Sequence, residues 1–360
     1  MRPNSKIGKI DYDAFEAIVA GRLGCRSEDV IVGPRTGVDA AVMKVGDKAL
    51  VVAEDPIFPA AGLPLETFGW FTVHIGASDV AVMGVKPQFA TYSLLMPPGT
   101  PDCDLETIVD SIHRAAVDLD ISIIGGHTGY YPAVSVPIVG GITVIGIGEL
   151  HEIITPAGAR PGDAVLMTKG PAIEAAALLA VLYETELRSR HGDAITEAAL
   201  ARCSEISVVK DALVARAAGP VSAMHDATEG GVLGGLWEIA SASGVGMEVR
   251  EADMCLPGDV LAVCEMLSID PLAAISEGTL LVTVPPAAAR AVISALQARD
   301  IPCTQIGRVT EDPGCRTVLR RDGGLEHLAV AEEDPFWPAY FAGLANRRPI
   351  TSTSDSPGRT

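Results

Sequence analysis

The sequence predicts an α/β (or α+β) fold divided into two domains, and three observations predict it. A length of 360 residues is enough for two domains with separate cores. Runs of β-branched and aliphatic residues, typical of strands, alternate with segments of helical periodicity. A segment rich in Pro and Gly, residues 155–163, interrupts this alternation and marks the expected boundary.

The first domain is expected to span residues 1–154. It begins with an amphipathic helix at residues 11–23, where apolar residues recur at helical spacing. A long apolar helix pattern at residues 69–83 is followed by Gly84, a common residue at helix ends. One more helix is expected at residues 105–119, and strands are expected at residues 40–45, 49–53, 89–96, 121–124 and 134–147.

The second domain is expected to span residues 155–345 and to show the same alternation. Its strands are predicted at residues 164–168, 246–249, 279–284, 304–309 and 316–319, and its helices at residues 173–183, 231–243 and 287–299. The tail, residues 346–360, is rich in Ser, Thr, Pro and Arg and is predicted to be disordered.

Charge and composition exclude several classes of function. A net charge of −19 argues against a nucleic-acid partner or an anionic membrane, because both need clustered Lys and Arg. No apolar run is long enough to span a bilayer, and the first residues do not resemble a signal peptide, so a cytoplasmic protein is expected. The seven cysteines contain no Cys-x-x-Cys pair, which argues against a zinc site or a disulfide scaffold. The P-loop, G-x-G-x-x-G and G-x-S-x-G motifs are absent.

Three aspartates in the first domain are candidate ligands for Mg²⁺. Asp39 follows Gly37-Val38 and precedes a strand, Asp55 ends a strand, and Asp79 lies within an apolar helix pattern. Hard cations take oxygen ligands, usually carboxylates together with substrate phosphates. Each residue also has a simpler explanation: Asp39 as a turn former, Asp55 as an ordinary strand end, and Asp79 as half of a salt bridge.

Two further segments could bind phosphate. Gly125, Gly126, His127 and Thr128 follow a strand, and the N–H groups of a glycine turn can surround phosphate oxygens, although a plain loop is the alternative. Lys169 ends the first strand of the second domain, where it could neutralise a phosphate or be solvated.

The segment from His225 to Gly231 is the strongest single motif. Thr228 is expected to cap the following helix, and Gly230 and Gly231 would offer N–H groups to an anion at its start. Asp226 could hold Mg²⁺, and His225 or His127 could move a proton. A capped helix without a function is the alternative.

In this order, the motifs resemble the superfamily of aminoimidazole ribonucleotide (AIR) synthetase, selenophosphate synthetase, thiamine-monophosphate kinase and HypE. The resemblance covers about residues 30–330 and implies ATP and Mg²⁺ as cofactors. It also implies a homodimer, in which N-terminal strands of two subunits form a barrel and the C-terminal α/β domain covers the cleft. It assigns the metal and phosphate positions of the first domain to Asp39, Asp55 and Asp79. It assigns the phosphate turn to Gly125, Gly126, His127 and Thr128, and the acidic position of the second domain to Asp226.

Departures from the family patterns narrow the function. The last cysteine is Cys315, so the chemistry that HypE performs on a C-terminal cysteine is not expected, and Cys25 lacks the neighbouring lysine of selenophosphate synthetases. His127 stands where thiamine-monophosphate kinases typically have Asp. The chain most resembles HypE-like, AIR-synthase-related proteins. We expect a Mg-dependent, ATP-using enzyme that activates an oxygen-bearing small molecule or protein-borne acceptor. The alternative is a non-catalytic nucleotide-binding protein that acts through a protein partner.

Overall fold

The computed structural model describes residues 7–346 and contains two β-sheets, one in each half of the chain. None of the helices in this range is long and apolar enough to cross a membrane. This architecture confirms the predicted mixture of helices and strands.

The first half forms a six-stranded sheet in the order β1-β2-β3-β6-β4-β5, in which β4 and β5 run parallel and the other pairs antiparallel. Its elements are α1 (Tyr12–Ala14) with a π-helical turn at Phe15–Val19, β1 (Val30–Val32), β2 (Ala41–Val45), β3 (Lys48–Ile57), α2 (Leu65–Val82), β4 (Phe89–Met96), α3 (Asp102–Asp118), β5 (Ser122–Tyr130) and β6 (Ile138–Glu149).

The second half forms a seven-stranded sheet in the order β13-β12-β9-β11-β7-β10-β8. Its elements are β7 (Ala164–Thr168), α4 (Ile173–Leu182), α5 (Glu184–His191), α6 (Asp193–Ala201), α7 (Val209–Ala218), β8 (Ala223–Ala227), α8 (Gly231–Ser243), β9 (Gly246–Arg250), α9 (Gly258–Leu267), β10 (Thr279–Val284), α10 (Pro286–Gln297), β11 (Cys303–Thr310), β12 (Arg316–Leu319), β13 (Leu325–His327) and α11 (Phe336–Asn346).

Helix α2 connects the two halves. It packs against α3, β3 and β6 of the first half and against α7 and β8 of the second. A helix with neighbours on all sides must be apolar all round, which explains the long apolar pattern that the sequence shows there. Gly69 allows the close approach of α3, because a Cβ at this position would lie 2.7 Å from the Ile108 carbonyl oxygen.

One buried apolar cluster includes residues of both halves, for example Val51 and Leu166. The division into domains at residues 154 and 155 falls between β6 and β7 and stays a prediction.

Three predicted elements differ from the structure. The helix expected at residues 11–23 is the short α1 and a π-helical turn that ends at Val19, and neither buries a residue. Strand β3 continues past residue 53 to Ile57, so Asp55 lies within it; its register with β6 shifts around Pro56, which has no N–H to donate. Strand β5 continues through the predicted glycine turn. Residues 347–360 of the predicted tail lie outside the described residues.

Candidate metal and phosphate site

A cavity of about 780 Å³ lies where the two halves of the chain meet, a size suited to a small-molecule ligand. Its polar lining comes from segments far apart in the sequence. The first half contributes Lys9, Tyr12, Arg35, Thr36, Asp39, Glu54, Asp55 and Asp79, and the second half contributes Glu174, His225, Thr228, Glu229, Glu238 and Glu277.

Asp39 and His225 line this cavity, and they form a compact group with Asp226, which is not part of the lining. One potential ligand atom from each residue lies within 4.8 Å of the other two. Asp39 sits in the turn before β2, and the other two are consecutive residues of β8, the strand that packs against α2. Asp226 is 1% exposed, and neither of its carboxylate oxygens has a hydrogen-bond partner among residues 7–346. Burial, and then the nearby Asp39, raise the pKa of Asp226 to about 7.

His225 lies between two carboxylates. Its Nδ1 is 2.6 Å from Oδ1 of Asp39, and its Nε2 is 2.5 Å from Oε2 of Glu238. Burial opposes the charged imidazolium, but Asp39 and Glu238 outweigh burial and raise the pKa of His225 well above its ordinary value. Each ring nitrogen of His225 lies against a carboxylate, so this residue can position Asp39. Its role as a proton shuttle stays a prediction.

Asp55 and Asp79 lie close to each other beside this group, near enough for Asp55 to oppose the charged form of Asp79. Asp79 lies on the face of α2 that also carries Phe71 and Ile75, each four residues apart, and all three line the cavity. Burial, followed by repulsion from Asp55, Asp226 and Asp39, raises the pKa of Asp79 well above its ordinary value. The structure therefore brings together the four aspartates that the sequence nominates as metal ligands.

These residues fit a hard cation. Asp39 Oδ2, Asp55 Oδ2 and both oxygens of Asp226 are buried without a hydrogen-bond partner within the described chain. Buried like charges repel each other unless a proton or a cation neutralises them, and Mg²⁺ prefers carboxylate oxygens. Their assignment as ligands stays a prediction.

Lys9 is a site residue that the sequence analysis missed. Its Nζ donates a hydrogen bond to Oγ1 of Thr228 at 2.9 Å, and its backbone N–H donates to Oε2 of Glu229 at 2.8 Å. Although Lys9 is exposed as a residue, desolvation by its neighbours lowers its pKa. Glu238 and the cluster aspartates outweigh this effect, so that the pKa rises above its ordinary value. No local pattern marks this lysine, because it acts on residues more than 200 positions away.

Tyr12 anchors the same N-terminal segment. Its ring stacks on Trp237 with the ring centroids 4.9 Å apart, and its hydroxyl donates to Oε1 of Glu238 at 3.0 Å. The described N-terminal residues therefore form part of the wall of the cavity.

The predicted glycine turn at residues 125–128 is wrong as a local conformation. Gly125, Gly126, His127 and Thr128 are exposed residues of the edge strand β5, outside the lining of the cavity. Strand β5 pairs with β4 along its length, and this pairing keeps the segment extended. At Gly126 (φ +142°) a Cβ would lie 2.2 Å from the Tyr92 carbonyl oxygen, so the glycine serves the close approach of two strands. His127 contacts the Tyr131 hydroxyl at 2.5 Å.

Lys169 also lies away from the cavity. It is 8% exposed, pairs with Asp211 at 3.1 Å, and donates hydrogen bonds to the carbonyl oxygens of Glu205 and Ser207. Lys169 is thus a buried, paired cation and not a solvated lysine, and its phosphate role stays a prediction.

The start of α8 differs from the prediction in its capping. The N-cap is Gly230 (φ +85°), and Thr228 makes no capping hydrogen bond with its side chain. The N–H groups of Gly230 and Gly231 already donate to Asp334 Oδ2 and to the Thr228 carbonyl oxygen. These two donors are therefore occupied, which contradicts their predicted role as free phosphate donors. Gly37 (φ +70°) does line the cavity, against Glu238.

Comparison with known proteins identifies the family. Residues 37–148 match the N-terminal domain of AIR synthase related proteins, and residues 160–320 match their C-terminal domain. Carbamoyl dehydratase HypE of Cupriavidus necator is 32% identical over 77% of this chain and 78% of its own length. Carbamoyl dehydratase HypE of Escherichia coli is 28% identical over 77% of this chain and 80% of its own length.

Solved structures show the same fold. A HypE–HypF complex has a TM-score of 0.71 at 22% identity and covers 88% of this chain and 99% of its own. A HypE structure in complex with ATP has a TM-score of 0.65 at 23% identity, covering 90% of this chain and 93% of its own. A ThiL structure with AMPPCP and TMP has a TM-score of 0.63 at 22% identity, covering 86% and 91%. The predicted two-domain AIR-synthase-like fold class and the prediction of an enzyme, with its class left open, are confirmed. The chain belongs to the AIR synthase related protein family.

Proposed function

We propose that this protein is a Mg²⁺-dependent, ATP-using enzyme that activates an oxygen-bearing acceptor by phosphoryl transfer or ATP hydrolysis. The observation that carries the proposal is the compact group of Asp39, His225 and Asp226, which has buried carboxylate oxygens without partners among the described residues. Asp39 and His225 of this group line a cavity of nucleotide size. The related fold of HypE in complex with ATP, and of ThiL with AMPPCP, supports ATP as the nucleotide.

In this proposal Asp39, Asp55, Asp79 and Asp226 hold Mg²⁺. When bound, the ion would neutralise phosphate charge and so favour transfer of a phosphoryl group. His225 fixes the orientation of Asp39 through their close contact. Lys9 is one of two Lys or Arg side chains that line the cavity within residues 7–346, the other being Arg35, and it adds positive charge where the phosphates would lie.

The test is ATP turnover by the full chain, measured as ADP and free phosphate with Mg²⁺ or with chelator, against a panel of hydroxyl, carboxylate and amide acceptors. We expect acceptor-dependent ADP formation that requires Mg²⁺ and is lost in Asp226→Asn. Asp118→Asn, which changes an exposed carboxylate on α3, is the matched control and should keep full activity. Full activity of Asp226→Asn would reject this site.

A non-catalytic accessory function is the second candidate, and the solved HypE–HypF complex favours it, since a protein of this fold there binds a protein partner. It predicts Mg²⁺-dependent nucleotide binding without turnover, together with a stable partner that co-purifies with the chain. Acceptor-dependent turnover by the isolated protein would rule it out.

We also propose that the enzyme is a homodimer that pairs through β5. This strand lies at the edge of the first sheet and exposes Ile124, Tyr130 and, at 40% exposure, Ile123. An exposed apolar edge strand is prone to pair with another strand. Analytical ultracentrifugation should show a dimer, and Ile124→Lys should shift it to monomer. A wild-type monomer at micromolar concentration would contradict the proposal.

A further inference from the structure

Two more carboxylates reach the cavity from the second half of the chain. Glu174 is 8% exposed and Glu277 is 7% exposed, and both line the cavity. One oxygen of each, Oε2, has no hydrogen-bond partner among the described residues. A buried carboxylate with an unpaired oxygen is costly, so this arrangement indicates a ligand that completes it.

The scaffold holds these two side chains together. Glu174 lies in the first turn of α4, and Glu277 lies just before β10. The Ala172 N–H donates to Oγ of Ser276 at 2.7 Å, and the Ala175 N–H donates to the Ile275 carbonyl oxygen at 3.3 Å. The Glu174 carboxylate accepts a hydrogen bond from the Glu277 backbone N–H. Hydrogen bonds on either side of Glu174 thus join the start of α4 to the residues just before Glu277.

Both groups are under electrostatic strain without a cation. Burial raises the pKa of Glu174 to about 8, and burial, followed by Asp226 and Glu174, raises the pKa of Glu277 well above its ordinary value. Lys9 acts on Glu277 from a distance, but its hydrogen-bond partners are Thr228 and Glu229. Neither Glu174 nor Glu277 forms an ion pair with a Lys or Arg of residues 7–346.

We propose that Glu174 and Glu277 bind a divalent cation of their own, distinct from the one proposed at Asp39, Asp55, Asp79 and Asp226. The all-oxygen donor set suits Mg²⁺ or Mn²⁺, which complete their shells with water or with ligand oxygens. The proposal deepens the proposed function, because an oxygen-bearing acceptor in the cavity is a natural further ligand of such an ion. The site itself needs no nucleotide and can be tested alone.

The test is the number of Mn²⁺ ions bound per chain, measured without nucleotide by the electron paramagnetic resonance signal of free Mn²⁺. The wild type and the control Asp118→Asn should bind two ions, and Glu174→Gln and Glu277→Gln should each lose one. Asp226→Asn should lose the other ion, so that the double variant Asp226→Asn/Glu277→Gln binds none. Glu277→Asp keeps the charge but shortens the side chain, and should weaken the second ion without changing the first.

Circular dichroism shows whether each variant is folded. If a Gln variant is unfolded, the ion count of Glu277→Asp tests the site instead. One Mn²⁺ ion per wild-type chain, or two ions in Glu174→Gln/Glu277→Gln, would overturn the second site. Two ions without any ATP turnover would leave this site in place and reject the proposed function. Mg²⁺-dependent ATP turnover by a protein that binds only one ion would support the proposed function and reject the second site.

Discussion

Replacing Asp226 with Asn should make the metal-free protein more stable at alkaline pH and remove its stabilisation by Mg²⁺. Asp226 is buried, and its pKa rises from 3.8 to about 7. An acid whose pKa is higher in the folded state binds more protons there than in the unfolded chain. Stability is therefore lost as the pH rises from about 4 to about 7.

The magnitude follows from this pKa. A rise from 3.8 to about 7 costs the folded state about 4 kcal/mol at pH 8, since one pKa unit corresponds to about 1.4 kcal/mol. Asparagine removes this charge but leaves a buried amide without partners, which costs about 1–3 kcal/mol. We therefore expect Asp226→Asn to be more stable than the wild type by about 1–3 kcal/mol at pH 8 with chelator, and no more stable at pH 4.

Urea denaturation at the two pH values, with chelator or with Mg²⁺, measures these differences. A saturating ion at about 100 times its Kd should stabilise the wild type by about 2.7 kcal/mol, and it should stabilise Asp226→Asn far less. Asp118→Asn should follow the wild type throughout. If Asp226→Asn were destabilised at pH 8, or kept the full Mg²⁺ effect, the view of Asp226 as a metal ligand with a costly buried charge would be refuted.

Three other substitutions test neighbouring features. Lys169→Met leaves Asp211 buried without its cation and should cost about 3–5 kcal/mol in urea denaturation, with unchanged Mg–ADP affinity; weaker nucleotide binding would support the predicted phosphate role. Lys9→Met removes a cavity cation and should weaken Mg–ADP binding about tenfold in calorimetry, while Lys9→Arg should bind normally. The raised pKa of His225 means that its pairing with Asp39 and Glu238 stabilises the fold fully below about pH 6.5 and less as the pH rises through the folded-state pKa. His225→Gln should remove that component of the pH dependence of stability. An unchanged dependence would contradict the pairing of a charged His225 with Asp39 and Glu238.

The local sequence was sufficient to predict the bounds of an element where turn residues mark its ends. Strands β7 and β10, helix α8 and strand β12 have the predicted bounds, because their apolar runs stop at turn residues such as Lys169-Gly170, Pro285 and Gly244. Helices α5, α6, α7, α9 and α11 were not predicted. In α5 and α7 the apolar pattern is weak, and contacts with the rest of the fold select the helix.

Long-range pairing explains the main error. Two consecutive glycines favour a turn locally, yet Gly125 and Gly126 lie opposite Thr91 and Tyr92 of β4 and continue the strand. Tertiary pairing overrides local preference, and only the approach of β4 shows why the glycines are needed. Lys9, Glu174 and Glu277 escaped prediction for a similar reason, since their neighbours in the cavity are distant in sequence.

The candidate aspartates could be predicted from the sequence because they are charged residues in segments that are otherwise expected to be buried. Asp79 stands in a helix most of whose residues are buried, and Asp226 stands in a strand that is buried throughout. Neither residue forms an ion pair with Lys or Arg within residues 7–346, and His225 pairs instead with Asp39 and Glu238. An unpaired carboxylate in an apolar element destabilises the fold unless it binds something. Four aspartates gathered beside one cavity therefore indicate a cation, even though each residue alone has an ordinary structural explanation.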